Sequence, residues 1–246
     1  MTSAPAVDQR RLLDVQELDT RLDQLAHKRR TLPALARLIE LDAQLADLDT
    51  ALVTSRTAAS DLRSELAKAE ADVEQVRSRA ARNRQRLDAG QGSAKDMQAL
   101  SSELESLARR QSDLEEVELE VMERLEAHES TLAELEQAHG ALVTEHEKVA
   151  AERDAGYAEI DAEVERLRSV RVTAADGIDA GLLALYERLR GQHQGRGAAP
   201  LRGNRCEGCR LELNPLDLEG IRAKPADAVV RCEECGRILV RGTEGG

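Results

Sequence analysis

From Leu38 onward, apolar side chains recur in alternating steps of three and four: Leu38, Leu41, Leu45, Leu48, Leu52, Ser55, Ala59, Leu62, Leu66, Ala69, Val73, Val76, Ala80, Asn83 and Leu87. A stripe that repeats every 3.5 residues stays on one face only when two helices wind around each other. The spacing therefore predicts a coiled coil, with Ser55 and Asn83 as polar members of its seam.

The repeat stops at Ala89-Gly90-Gln91-Gly92-Ser93. A short break containing glycine joins antiparallel helices. The pattern then resumes at Met97, Leu100, Leu104, Leu107, Gln111, Leu114, Glu118, Val121, Leu125, His128, Leu132, Leu135, His139 and Leu142. Ser93, with Asp96 three residues on, suits a near capping box for the returning helix. Pro33 is expected to kink the first arm near its base or to set off a short separate helix before it. A helix break is expected at 173–177, then a short amphipathic helix over 178–190 and a glycine-rich connector over 191–197. The fold class is thus mainly α: a long antiparallel coiled-coil hairpin over 1–172 (tip near 89–93), a short helix and connector over 173–197, and a small C-terminal β zinc ribbon over 198–246.

Composition agrees with a narrow seam rather than a rounded core. Charged residues make up 33% of the chain, aromatics 1%, and neither Phe nor Trp occurs. A deep apolar pocket for a small-molecule substrate is not expected from such a chain. The net charge of −12 argues against a nucleic-acid binder as a whole. No run reaches a membrane span, and the N-terminal residues lack a secretory signal, so a cytoplasmic protein is the expectation.

All four cysteines lie near the C-terminus, as Cys206-Glu-Gly-Cys209 and Cys232-Glu-Glu-Cys235, separated by 22 residues. Each CxxC offers two thiolates to one ion, and two such turns complete a tetrahedron. Two disulfides would suit an exported protein, and a redox CxxC would need one pair in a βαβ setting. A four-thiolate iron site shares the same ligands. One structural Zn²⁺ on Cys206, Cys209, Cys232 and Cys235 is the reading that spacing favours. With four thiolates and no open position it would hold the fold and activate no water, and much of the ribbon's stability would come from the metal. The run 226–230 before the second pair and the run after Gly236 are expected to form strands.

The chain as a whole resembles the bacterial C4-type zinc-ribbon proteins with an N-terminal coiled-coil hairpin, in an actinobacterial-like dialect. The likeness is carried by the four cysteines and by three stretches: Lys95-Asp96-Met97-Gln98-Ala99-Leu100-Ser101-Ser102-Glu103-Leu104, Leu114-Glu115-Glu116-Val117-Glu118-Leu119-Glu120-Val121-Met122-Glu123 and Leu185-Tyr186-Glu187-Arg188-Leu189-Arg190. The resemblance implies the hairpin-plus-ribbon architecture, a zinc ion on the four cysteines and, for some members, gene regulation through contacts with a sigma factor or RNA. It brings no catalytic residues.

Other residues invite a functional reading. Arg77, Arg79, Arg82, Arg84 and Arg86 form a basic run near the tip, as a nucleic-acid contact or as partners for Glu103 and Glu105 on the returning arm. At ~100° per residue these arginines scatter around the helix, which favours pairing. Residues 103–165 carry 20 acidic against 5 basic residues, a solvated face or a platform for a basic partner. His128, His139 and His146 fall on seam positions, where polar residues set register and histidines confer acid sensitivity. In the ribbon, Arg202, Arg205, Arg210, Arg222, Lys224, Arg231, Arg237 and Arg241 are candidate phosphate contacts, offset by eight acidic residues in the same segment. The composite reading is a non-enzymatic adaptor that docks a protein partner through hairpin and ribbon. The alternative is binding of RNA or DNA through the ribbon and the basic run. A homodimer of hairpins is compatible with either.

Overall fold

The computed structural model describes residues 3–90 and 92–242. Gln91 of the expected tip, the first two residues of the expected hairpin and residues 243–246 of the expected ribbon lie outside the described residues. The helices are α1 (Ala6–Arg30), α2 (Pro33–Asp88), α3 (Ala94–Ala175), α4 (Ala180–Gln192) and α5 (Pro215–Ala223). The strands are β1 (Ala198–Arg202), β2 (Arg205–Cys206) and β3 (Ile238–Val240). They group into two compact units: residues 36–90 with 92–150, and residues 3–35 with 151–242.

The first unit is the antiparallel hairpin of α2 and α3. Every seam position read from the repeat is buried or half-buried, with Leu41, Ala59, Val73 and Val121 at 2% exposure or less. Ser93 and Asp96 cap α3 reciprocally: the Ser93 N–H and hydroxyl donate to Asp96 Oδ2 at 2.8 and 2.7 Å, and the Asp96 N–H donates to Ser93 Oγ at 3.3 Å. This is the capping box expected from those two residues.

Ion pairs flank the seam with heptad regularity. Arg56, Arg63 and Arg77 share one heptad position and meet Glu136, Glu129 and Glu115, which step back by the same intervals. Arg37 and Arg79 share another and meet Glu145 and Glu103. All ten side chains are at least one-third exposed, so each pair contributes roughly 0.2–1 kcal/mol. Together they specify register rather than stability. Inside the flanks, His128 Nε2 lies 3.1 Å from Ser55 Oγ, and His139 and His146 each lie 3.1 Å from a carboxylate, of Asp49 and Asp42.

The second unit combines α1, the last part of α3, α4 and the ribbon. β1 pairs antiparallel with β2 and parallel with β3. Side chains alternate along a strand, so one sheet face takes Ala198, Ile238 and Val240, and the other takes Ala199, Leu201 and Leu239. The first face packs with Leu12 and Val15 of α1 and Leu182, Tyr186 and Leu189 of α4. The second packs with Leu218 and Ile221 of α5, Leu213, Val230 and two of the cysteines. Burial on both faces explains why β3 is an unbroken Ile-Leu-Val. The run 226–230, expected as a strand, holds only an isolated bridge from Ala228 to Ser3, because that stretch turns back toward the N-terminus.

Two devices fix the connector after α4. The Gln16 side chain donates to Gly195 O at 2.9 Å and accepts from the Gly197 and Ala198 N–H groups at 2.7 and 3.3 Å. A Cβ at Gly197 would fall 2.5 Å from Tyr186 O, so only glycine fits there. Asp19 clamps the helices of this unit. Its side chain is 2% exposed and accepts from Arg171 of α3 and from the Tyr186 hydroxyl of α4, with Arg190 Nε 3.5 Å away. Desolvation and the hydrogen bond to Asp19 hold the Tyr186 hydroxyl well above its ordinary range. The Asp19 hydrogen bond likewise raises Arg171, against the opposing cost of its burial.

Candidate metal centre

Two turns of similar construction supply the cysteines. In the first, Arg210 N–H donates to Cys206 O at 2.7 Å; in the second, Gly236 N–H donates to Cys232 O at 2.8 Å. The closing residue takes a left-handed conformation in both, with φ 62° at Arg210 and 70° at Gly236. Only the second turn has the glycine that this geometry favours. The turns face each other because β1–β2 carries the first and the approach to β3 carries the second.

All four sulfurs lie within 4.8 Å of one another, with 3.9 Å from Cys206 to Cys235 and from Cys209 to Cys232. A tetrahedron with Zn–S bonds of ~2.3 Å has edges of about 3.8 Å. A disulfide needs ~2.05 Å, and the four cysteines are free. Cys206 and Cys232 are buried, Cys209 and Cys235 half-buried. The donor set and its dimensions fit one structural zinc, and four sulfurs fill a tetrahedral shell with no position left for water.

Fixed N–H groups point at these sulfurs. Burial pushes the Cys206 thiol up to about 12, opposed by the backbone N–H groups of Cys209 and Gly208. Burial also raises Cys232, opposed by those of Cys235 and Glu234. At Cys235 burial acts in the same upward direction, but the Arg237 backbone N–H and guanidinium outweigh it and the thiol is lowered. A metal ion would complete what these donors begin, holding sulfurs charged in a place that otherwise disfavours charge.

The ribbon cations split into two kinds. Arg205, Arg222, Arg231, Arg237 and Arg241 donate to main-chain carbonyls, and Arg241 alone reaches Ile221, Lys224, Pro225, Ala226 and Ala228. These arginines staple loops, a role that sequence reading missed. Arg202, Arg210 and Lys224 are exposed. Near the tip, Arg79 meets Glu103 as expected, whereas Arg77 meets Glu115 and neither Glu103 nor Glu105. The two arginines are about 200° apart around the helix, so they reach across opposite flanks. Arg82, Arg84 and Arg86 are exposed and form no ion pair among the described residues.

Comparison with known proteins agrees with this geometry. Residues 15–194 match the CT398-like coiled coil hairpin domain, and residues 205–239 match the C4-type zinc ribbon domain. An uncharacterised protein of Mycobacterium tuberculosis is 36% identical over 238 residues, covering 97% of each chain. A solved Mycobacterium smegmatis structure superposes with a TM-score of 0.87 at 37% identity, covering 98% of this chain and 100% of its own. CT398 from Chlamydia trachomatis gives a TM-score of 0.69 at 21% identity, covering 96% and 98%, a likeness of fold.

Proposed function

Because this chain belongs to the family with a CT398-like coiled-coil hairpin followed by a C4-type zinc ribbon, we propose that it is a non-enzymatic adaptor, docking a protein partner through the hairpin and a second one through the ribbon. The observation that carries the reading is an apolar stripe outside the seam. Ile39, Ala46 and Val53 recur every seven residues on α2 and are exposed, Ile39 at 71% and Val53 at 65%. Large apolar side chains at heptad spacing on the outside of a coiled coil suit the addition of another helix. The closed four-sulfur site supports a structural metal and leaves no Lewis acid for catalysis. No described helix is long and apolar enough to cross a membrane.

The test is capture of tagged protein from its own lysate with and without nuclease, in wild type and in an Ile39→Asp, Val53→Asp variant. The adaptor reading expects a protein partner that persists through nuclease and is lost in the variant. Gel filtration with light scattering separates a heterologous partner from a second copy of the chain. Nucleic-acid binding is the second reading, supported by the exposed Arg82 and Arg84 near the tip. Enrichment of RNA or DNA, with proteins lost on nuclease treatment, would establish it and overturn the first.

A further inference from the structure

A cleft of about 630 Å³ opens in the second unit, where the start of α1 meets the ribbon. Four cations line it: Arg10 of α1, Arg222 of α5, Lys224 just beyond α5, and Arg241 after β3. No acidic side chain lines it among the described residues, in a chain whose net charge is −12. Ala6 and Leu201 add apolar wall. The walls are fixed relative to one another: Ala4 N–H donates to Asp227 O at 2.8 Å, and the Gln9 amide donates to Ala4 O and Asp227 O at 2.9 and 3.2 Å. Arg241, tied to five carbonyls, holds the 221–228 segment in place and contributes charge.

The other three cations have donors to spare. Arg222 commits one nitrogen to Gly203 O at 3.3 Å. Arg10 and Lys224 are exposed, and their side chains pair with no described residue. The end of α1 adds to the field. Its N-cap is Pro5, without a side-chain cap, and the first-turn carboxylate of Asp8 is engaged by the Asp179 N–H at 3.0 Å. The first turn of this 25-residue helix thus has no side-chain cap from its N-cap residue, and its Ala6 lines the cleft.

We propose that this cleft binds the polyphosphate group of a small phosphorylated ligand, such as a nucleoside di- or triphosphate. One phosphate monoester carries about −1.5 to −2 charges at neutral pH, so the four cations lining the cleft match at least two phosphates in tandem. The volume lies in the range of small-molecule sites, about 300–1,000 Å³, and Ala6 offers apolar contact to the organic part. Among the described residues no histidine, carboxylate, thiol or hydroxyl lines the cleft, and the site proposed is a binding site. Free phosphate-rich ions and nucleotides share this chemistry, and the probes separate them.

The experiment is calorimetric titration of the full-length, zinc-loaded protein with pyrophosphate, ATP and sulfate at about 0.15 M salt. The expected result is one saturable site for pyrophosphate or ATP per chain, with sulfate at least tenfold weaker. Tighter ATP binding assigns a nucleotide, and equal binding assigns the bare polyphosphate group. Arg10→Glu and Lys224→Glu, each on an exposed side chain, should each weaken binding about tenfold or more with zinc content and circular dichroism unchanged. Absence of binding up to about 1 mM, sulfate binding as well as pyrophosphate, or binding indifferent to both substitutions would overturn the proposal. A short single-stranded RNA that occupies the same residues more tightly than ATP would also overturn it.

Discussion

Cys232→Ser removes one of the four sulfurs, a side chain 2% exposed and 3.9 Å from Cys209 Sγ. Structural zinc in small domains is worth roughly 10–16 kcal/mol, while a whole domain is stable by only about 5–15 kcal/mol. Loss of a ligand is therefore enough to unfold the ribbon. The consequence reaches helices that do not touch the metal. Ile238 and Val240 are fully buried on the sheet face that packs with Leu12, Val15, Leu182, Tyr186 and Leu189. At about 1.5–3 kcal/mol per buried aliphatic side chain, their withdrawal costs the α1–α4 core about 3–6 kcal/mol. Hydrogen exchange read by mass spectrometry should show protection lost over 198–240 and exchange accelerated in α1 and α4. Residues 38–87 and 97–142 should keep their wild-type rates, since their seam is built from other residues. Wild-type protection in α1 and α4 beside an unfolded ribbon would refute the shared-core argument. Full zinc stoichiometry in the variant would refute the ligand assignment.

Asp19→Ala should destabilise the second unit by about 3–5 kcal/mol, because it takes the buried carboxylate from Arg171, which keeps only Glu187, and leaves the Tyr186 hydroxyl without its acceptor; urea unfolding followed by tyrosine emission reports it, since the chain has two Tyr and no Trp and both Tyr157 and Tyr186 lie in that unit. Tyr186 is raised above its ordinary value of 10.0, so folding favours its protonated form, and that contribution is complete below about pH 10 and lost as pH rises further. Alkaline titration of stability should accordingly be steeper for wild type than for Tyr186→Phe. Leu41→Ala, at a fully buried seam position, should cost the hairpin about 2–5 kcal/mol in a circular-dichroism melt. Arg210→Gly should stabilise the ribbon by up to about 1 kcal/mol, by relieving a left-handed residue, and should slow zinc release to a chelator.

The hairpin was legible because its stabilising pattern is local and repeated. Each seam residue from Leu38 to Leu142 sits three or four positions from the next, and the partner arm follows after a short break, so the sequence displays the contact list almost directly. Arg77 shows where that legibility ends: its partner depends on which flank the side chain takes, which a linear count from the tip does not give. The four cysteines were equally legible, since CxxC spacing is dictated by one ion's coordination geometry.

The second unit was harder to read because its contacts span long separations and mix polar with apolar groups. The buried face of α1 runs Gln9, Leu12, Val15, Gln16, Asp19, and the polar members disguise the stripe. Each polar member is buried because something distant in sequence satisfies it: Gln9 by Asp227, Gln16 by Gly195 and Gly197, Asp19 by Arg171 and Tyr186. A helical face that carries an acid and two amides among its apolar residues is itself a signal, since such groups are buried only with partners. The signal for α5 was also present, in Asn214-Pro215, where Asn214 Oδ1 accepts from Leu216 N–H at 3.0 Å and proline occupies the first turn. The ribbon arginines carried no comparable mark. An arginine bound to carbonyls and one free for phosphate look alike in a sequence, and Arg241 differs from Arg202 only in what the folded chain places around it.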